Sequence, residues 1–166
     1  MKRLILMQGA PGSGKSTVAE ALAHRHSGGN QAPQILSTDR FHYRQGIYEF
    51  NPAMVGKYHA WTQALCLAAM IVETPLIIID NTNIKREHVQ PYLDMAEEHG
   101  YTVTVVRVDP GLVECLARNA ARSGDRRIPE DVIVRMYRDM ETLLPETEEV
   151  GCLASADGNS IASSVE

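Results

Sequence analysis

Lys15 and Ser16 close the segment Gly9-Ala10-Pro11-Gly12-Ser13-Gly14-Lys15-Ser16-Thr17, and chemistry can be argued from them first. The spacing is G-x-x-x-x-G-K-S. It stands between an apolar run of strand character, Leu4-Ile5-Leu6-Met7, and the helix-forming Val18-Ala19-Glu20-Ala21-Leu22, the context a phosphate-binding loop requires. Glycines open backbone angles closed to other residues, so successive N–H groups can turn inward around phosphate oxygens. A helix beginning near Lys15 aims its positive end at the same point. In that arrangement Lys15 reaches the outer phosphates of a nucleoside triphosphate, and the Ser16 hydroxyl binds Mg²⁺.

Two carboxylates follow short apolar stretches. Gln34-Ile35-Leu36-Ser37 runs into Thr38-Asp39-Arg40, and Leu76-Ile77-Ile78-Ile79 runs into Asp80. Open parallel sheets bind ligands beyond the carboxyl ends of their strands. Asp39 there can accept the proton of an attacking hydroxyl; the bland alternative is a helix cap or loop carboxylate. Asp80 reads as the second metal-site residue beside Ser16. Further on, Arg118, Arg122, Arg126 and Arg127 fall within ten residues, around Ser123-Gly124-Asp125. Arginines on an excursion from about residue 119 to 129 suit a lid over transferring phosphate; the alternative is a solvated charged loop.

The elements that must position these groups alternate between strand and helix. Residues 24 to 33 read as a polar loop. Asn51-Pro52 looks like a helix start, followed by a long helix whose stripe Met54, Tyr58, Trp61, Leu65, Ala68 is expected to face the core. His59 on that helix is either a packed or surface histidine or a catalytic one. The all-apolar strand over residues 76–79 suits a parallel sheet covered on both faces. Asn81-Thr82-Asn83 can cap the next helix, which Pro91 is expected to split in two and Gly100 to end. Residues 101–108 form a β-branched strand before the turn Asp109-Pro110-Gly111. A helix over residues 112–121 and another restarting at Pro129 flank the arginine segment. The expected fold class is α/β: a P-loop kinase-like open parallel sheet of four or five strands flanked by helices, in one domain over residues 1–145. From residue 146 the chain is acidic, then rich in Ser, Ala and Gly, and a short strand with a loose tail is expected.

Composition sets outer limits. Of 166 residues 44% are hydrophobic and 22% charged, as in ordinary globular domains. A net charge of −5 excludes a whole surface built to hold long nucleic acid by charge, so any such grip must be local. The longest apolar run, residues 64 to 72, is about half a membrane span, and the run after Lys2 and Arg3 is too short for a signal peptide. Cys66, Cys115 and Cys152 are widely separated, which indicates neither a zinc site nor a disulfide framework. Reduced thiols and a cytoplasmic location are expected.

Together these features describe a small phosphotransferase, with ATP as donor and Mg²⁺ as cofactor, and no guanine-reading N-K-x-D sequence argues for a GTPase switch. The chain resembles the P-loop polynucleotide 5′-kinase family over residues 1 to about 144. The resemblance rests on Gly9 through Thr17, Ser37-Thr38-Asp39, Tyr48-x-Phe50-Asn51-Pro52, His59-x-Trp61, Ile79-Asp80-Asn81-Thr82-Asn83, Arg122 through Pro129, and Arg135-Met136-Tyr137. It implies that Lys15 and Ser16 serve the donor phosphates and Mg²⁺, that Asp39 is the general base, and that Arg122 is the lid arginine. Because the lid is one residue longer than in the family's phage member, Arg126 competes with Arg122 for that role. That phage member has an arginine three residues beyond the base, where this chain has His42. Arg40, Arg44 and His42 are the candidates for gripping an acceptor phosphate, with Asn83 a further acceptor-side residue. The expected acceptor is a short 5′-hydroxyl nucleic acid. A kinase of a small hydroxyl compound (nucleoside, sugar or antibiotic) is the enzymatic alternative, and a non-catalytic nucleotide-binding partner protein stands in another class.

Overall fold

The computed structural model of the chain describes residues 1–28, 31–144 and 147–150. Among the described residues five strands form one parallel sheet in the order β2-β5-β1-β6-β7, with β1 (Arg3–Gln8) at its centre. The others are β2 (Gln34–Leu36), β5 (Leu76–Ile79), β6 (Thr102–Val108) and β7 (Thr147–Val150). A two-stranded antiparallel hairpin, β3 (Tyr43–Arg44) and β4 (Ile47–Tyr48), stands apart from the sheet. Since β7 pairs with β6 from Val105↔Thr147 to Val108↔Val150, the sheet runs past the expected boundary at residue 145. The loose tail expected after that strand lies outside the described residues.

Strand alternation explains the two apolar layers. Leu4 and Leu6 of β1 with Ile77 and Ile79 of β5 face one side, against Cys66, Met70, Val89, Tyr92 and Ala96. Ile5, Met7, Leu76 and Ile78 face the other, against Val18 and Leu22 of α1 (Lys15–Arg25). Covered on both faces, β1 and β5 are continuous apolar runs rather than alternating ones. A third cluster joins Ala10 of the glycine-rich loop to Cys115 of α4 (Leu112–Ala120) and Ile133 of α5 (Glu130–Arg138).

Three expectations are corrected. The long helix α2 (Val55–Ile71) buries Tyr58, Thr62, Cys66, Ala69 and Met70, while Trp61 and Leu65 from the expected core stripe are about half exposed at 48% and 47%. The helix is apolar around most of its girth, so periodicity could not select a face. Thr62 enters the core because its hydroxyl donates to the Tyr58 carbonyl at 2.9 Å. Pro91 does not split its helix: α3 runs unbroken from Arg86 to His99. The proline forfeits one bond to the Glu87 carbonyl, which burial of Val89, Tyr92 and Ala96 on the sheet offsets.

Asn81 and Asn83 do not cap α3 either. The α3 amino end is closed by His88, whose Nδ1 accepts from the Lys85 N–H at 3.3 Å. The asparagines tie strand ends together instead. The Thr38 N–H donates to Asn81 Oδ1 (2.9 Å), joining the end of β2 to that of β5. Asn83, with φ +46°, donates from Nδ2 to the Met7 carbonyl at 2.7 Å, and its own carbonyl accepts from Gln8 Nε2 at 3.0 Å. Gly9 N–H completes the join by donating to the Thr82 carbonyl at 3.1 Å.

Removing one of these ties should be measurable. Asn83→Ala leaves the buried Met7 carbonyl unpaired and puts alanine at a positive φ, so urea unfolding should read a loss of about 1–3 kcal/mol. A loss below about 0.5 kcal/mol, the range of an indifferent surface change, would remove Asn83 from this role.

Candidate active site

Gly9 to Thr17 wraps from the end of β1 into α1. Gly12 has φ +87°, and a Cβ there would collide with the Cys115 carbonyl oxygen; Gly14 has φ +97° and lies 3.2 Å, by such a Cβ, from Arg118 Nη1. Both positions therefore require glycine. Helix α1 has no side-chain cap and no acid in its first turn, so its leading N–H groups and positive end remain for an anion. Lys15 is almost wholly buried and donates to the Ala10 carbonyl at 3.0 Å and to Ser13 Oγ at 3.5 Å. Arg118 braces the loop from outside: Nη1 donates to the Ser13 carbonyl at 3.2 Å, and Nε to Glu114 at 2.6 Å. It belongs to α4 and the loop rather than to the lid.

Asp80 follows β5, and the Ser16 hydroxyl lies near enough to favour its carboxylate. Burial raises its carboxyl above the usual range, while Ser16 and the nearby Lys15 hold it down. A hydroxyl and a carboxylate, both hard oxygen donors, suit Mg²⁺, which keeps most of its waters and needs only one or two protein ligands. Asp39 lies in a 3₁₀ turn, Thr38–His42, directly after β2. The turn is held at its start by Asn81 on Thr38 N–H and by a 3.2 Å contact between the Thr38 and Thr62 hydroxyls. The Asp39 carboxylate is exposed, and its charge acts on Lys15, Asp80, Tyr48 and His59. The three strand ends thus bring Lys15, Ser16, Asp39 and Asp80 into one electrostatic neighbourhood.

The arginine segment is clamped at its base. Buried Asn119 donates from Nδ2 to the Ile128 carbonyl (2.8 Å) and accepts from the Ile128 N–H (3.0 Å), closing residues 120–127 into a loop that contains a 3₁₀ turn, Gly124–Arg126. Arg122, partly buried, lies close enough to lower the Lys15 pKa, and both Arg122 and Arg126 act on Tyr48. Arg126 is exposed, and Arg127 pairs with Glu130 at 3.7 Å. Of the two competing arginines, Arg122 is the one that bears on Lys15.

On the acceptor side the residues separate. Arg40 and Arg44 are exposed, Arg44 with a loose 4.0 Å pairing to Glu49. His42 is only 3% exposed and accepts at Nδ1 from the Asn51 N–H at 3.3 Å, inside a cage of Tyr48, Phe50 and Tyr58. Asn83 is equally buried in the strand-end join. Both side chains are buried, with His42 Nδ1 and Asn83 Nδ2 already bonded within the fold, whereas Arg40 and Arg44 stand open on the surface. Two further residues belong to this neighbourhood: Tyr48, given no role of its own from sequence, and His59, read there as either packed or catalytic. Tyr48 feels both Asp39 and the arginines Arg122 and Arg126, its phenol pushed up to about 12 by burial first and by Asp39 second. His59, half-buried, lies 3.4 Å by Nδ1 from Thr38 Oγ1, and burial lowers its pKa, helped by His88. The signal for Tyr48 was the Gln45-Gly46 pair, with φ +50° and +83°, which makes the tight turn of the hairpin that carries it.

Among the described residues no helix is long and apolar enough to cross a membrane. A family model described as an AAA domain matches residues 4–144. The human NEDD4-binding protein 2 is 38% identical over 100 residues, which are 60% of this chain and 5% of that protein. The chain spans about a quarter or less of the curated relatives it matches. A sugar kinase from Janibacter sp. HTCC2649 superposes with a TM-score of 0.64 at 17% identity, over 97% of this chain and 90% of that one. A chain of the Pnkp1/Rnl/Hen1 RNA repair complex superposes with a TM-score of 0.67 at 20% identity, over 94% of this chain and 52% of that one. These likenesses are to the fold: an α/β sheet flanked by helices, as in P-loop kinases.

The state of Lys15 gives a pH test. Burial pushes its ammonium group down to about 8 from an ordinary 10.5, the Asp80 and Asp39 charges only partly opposing this. The free protein therefore sheds this proton as pH rises through about 8, and a bound triphosphate, being anionic, restores it. Calorimetry at about pH 9 in buffers of different ionisation enthalpy should read uptake of most of one proton per nucleotide bound, and close to none at about pH 7. Equal uptake at both pH values would contradict the assignment.

Proposed function

The chain belongs to the AAA-domain family, and on that footing we propose that it is an ATP-dependent phosphotransferase that moves the γ-phosphoryl group to the 5′-hydroxyl of a nucleic acid. The observation that carries this reading is that the charges of Asp39, just beyond β2, and of Arg122, on the loop after α4, both act on Lys15 of the glycine-rich loop. Loop N–H groups and Lys15 hold the donor phosphates. Ser16 and Asp80 would hold Mg²⁺, which when bound neutralises charge on the phosphates. Asp39 accepts the proton of the attacking hydroxyl as its oxygen bonds to the γ-phosphorus and the bond to the bridging oxygen of the diphosphate breaks. Arg122 meets the charge that spreads over the transferring group, an interaction stronger in the transition state than before it.

Likeness to a chain of an RNA repair complex supports a nucleic-acid acceptor. Likeness to a sugar kinase supports the second reading, a kinase of a small hydroxyl compound. Exposed Arg40 and Arg44 near Asp39 favour an acceptor that carries phosphate. A non-catalytic nucleotide binder would have no use for a carboxylate held at Asp39.

Asp39→Asn should leave ATP affinity unchanged and slow transfer by roughly 10²–10⁴-fold, the usual worth of a general base. Labelled ATP offered with a free nucleoside, a nucleoside 3′-monophosphate and a short 5′-hydroxyl oligonucleotide should label the last best. Equal labelling of the free nucleoside would favour the small-molecule reading, and transfer by Asp39→Asn at the wild-type rate would remove Asp39 as the base.

A further inference from the structure

Aromatic residues are scarce in this chain and unevenly spent. Both phenylalanines, the single tryptophan and three of the six tyrosines lie in one continuous cluster that starts two residues after Asp39. From Tyr43 the rings pass to Tyr48 (5.3 Å between centroids) and to His42 (5.6 Å). His42 touches Phe50 at 5.0 Å and Tyr58 at 4.8 Å, and Tyr58 continues to Phe41 and Trp61 at 5.6 and 5.3 Å. None of these rings belongs to the three apolar clusters of the core.

Burial divides the cluster into a base and a face. His42 and Tyr58 are 3% and 4% exposed, whereas Tyr43, Phe50 and Trp61 are 43%, 54% and 48% exposed. Interior packing does not require rings left this open. The base is rigid: Glu49 N–H donates to the His42 carbonyl at 2.8 Å, and Asn51 N–H to His42 Nδ1 at 3.3 Å. Beside Phe50 and Tyr58 a groove of about 230 Å³ opens, with Arg44 and Asn51 among its lining residues. Its polar groups are poorly suited to reading a polyol. Asn51 Oδ1 already accepts from Ala53 N–H at 3.0 Å, and Arg44 faces Glu49. Glu49 lines the same groove and holds Arg44 only loosely, at 4.0 Å, so what the groove offers a ligand is the exposed Phe50 ring with a guanidinium beside it, a combination that can stack a base and meet the adjoining phosphate.

We infer that the exposed ring of Phe50, backed by the buried His42 and Tyr58, is a stacking platform for a nucleobase of the acceptor, with Arg44 at the neighbouring phosphate. This rests on the reading of Asp39 as the base of a phosphotransferase, and it selects a base-bearing acceptor over a sugar. It also assigns Phe41 and His42 a joint duty: they belong to the same 3₁₀ turn as Asp39, so the platform and the proton acceptor move as one piece. Stacking tolerates any base, so little preference among sequences is expected.

Trp61, the only tryptophan, makes the platform directly readable by fluorescence. The full chain is titrated with a short 5′-hydroxyl oligonucleotide and with an abasic oligonucleotide of equal length and charge, and transfer from ATP to each is followed separately. The base-bearing strand should quench Trp61 and bind roughly 5- to 150-fold tighter than the abasic one, and Phe50→Leu should narrow that gap. Equal affinity and equal transfer for both strands would overturn the platform and leave the phosphotransferase reading standing. Quenching by the base-bearing strand without transfer to any hydroxyl would keep the platform and defeat the phosphotransferase reading. A Trp61 emission that shifts with protein concentration alone, and no longer responds to the strand, would assign this face to a second copy of the chain and overturn the proposal.

Discussion

The site depends on how the carboxyl ends of three parallel strands are fastened to one another. Parallel strands are hydrogen-bonded along their length, but the loops that leave them are free to diverge unless something beyond the ladder holds them. Here two asparagine side chains do so. Asn81 takes the Thr38 N–H and ties the Asp39 turn to β5, and Asn83 takes the Met7 carbonyl and ties β5 to β1 at the mouth of the glycine-rich loop. These are short, largely buried amide bonds, where loss of one partner costs more than the bond's net worth because the other is left unpaired. The positive φ of Asn83 is the local strain accepted to make the second tie.

From that fastening the electrostatics follow. Lys15 is driven toward neutrality by burial and held charged by Asp80 and Asp39. Asp80 is driven the opposite way by the same burial and held by Ser16 and Lys15. Each group is poised by its neighbours rather than by water, a condition that favours a large response to an arriving polyanion. The arginine segment is built on similar lines. Its loop carries a 3₁₀ turn, Gly124–Arg126, and the Asn119 clamp on Ile128 fixes both ends, which keeps Arg122 within electrostatic reach of Lys15.

Much of this was legible in the sequence, for identifiable reasons. The glycine-rich loop is dictated by local backbone demands, and the all-apolar β5 by burial on two faces. The positions of Asp39 and Asp80 follow from the rule that strands end at the crevice. Less legible were features that depend on which face turns inward or which partner is met across the fold. Periodicity put Trp61 and Leu65 in the core, but α2 is apolar nearly all round and Thr62 can bury its hydroxyl against its own helix. Local rules made caps of Asn81 and Asn83, whereas their partners, Thr38 and Met7, are more than forty residues away. His42 was read as an acceptor contact because it stands where the resembled family's phage member has an arginine, and it lies at the hub of an aromatic cluster no pairwise spacing reveals. Pro91 was read as a break, but one lost hydrogen bond is small beside three buried side chains.

The tie between Asn81 and the Asp39 turn can be tested by a double-mutant cycle on phosphoryl transfer under saturating ATP, using Asn81→Ala, Asp39→Asn and the pair. If Asn81 acts by holding Asp39 in place, the single Asn81 variant should transfer slowly with ATP affinity retained, and the double variant should be no slower than Asp39→Asn alone. Losses that simply add, or an Asn81→Ala protein that transfers at the wild-type rate, would contradict the dependence of the site on that one bond.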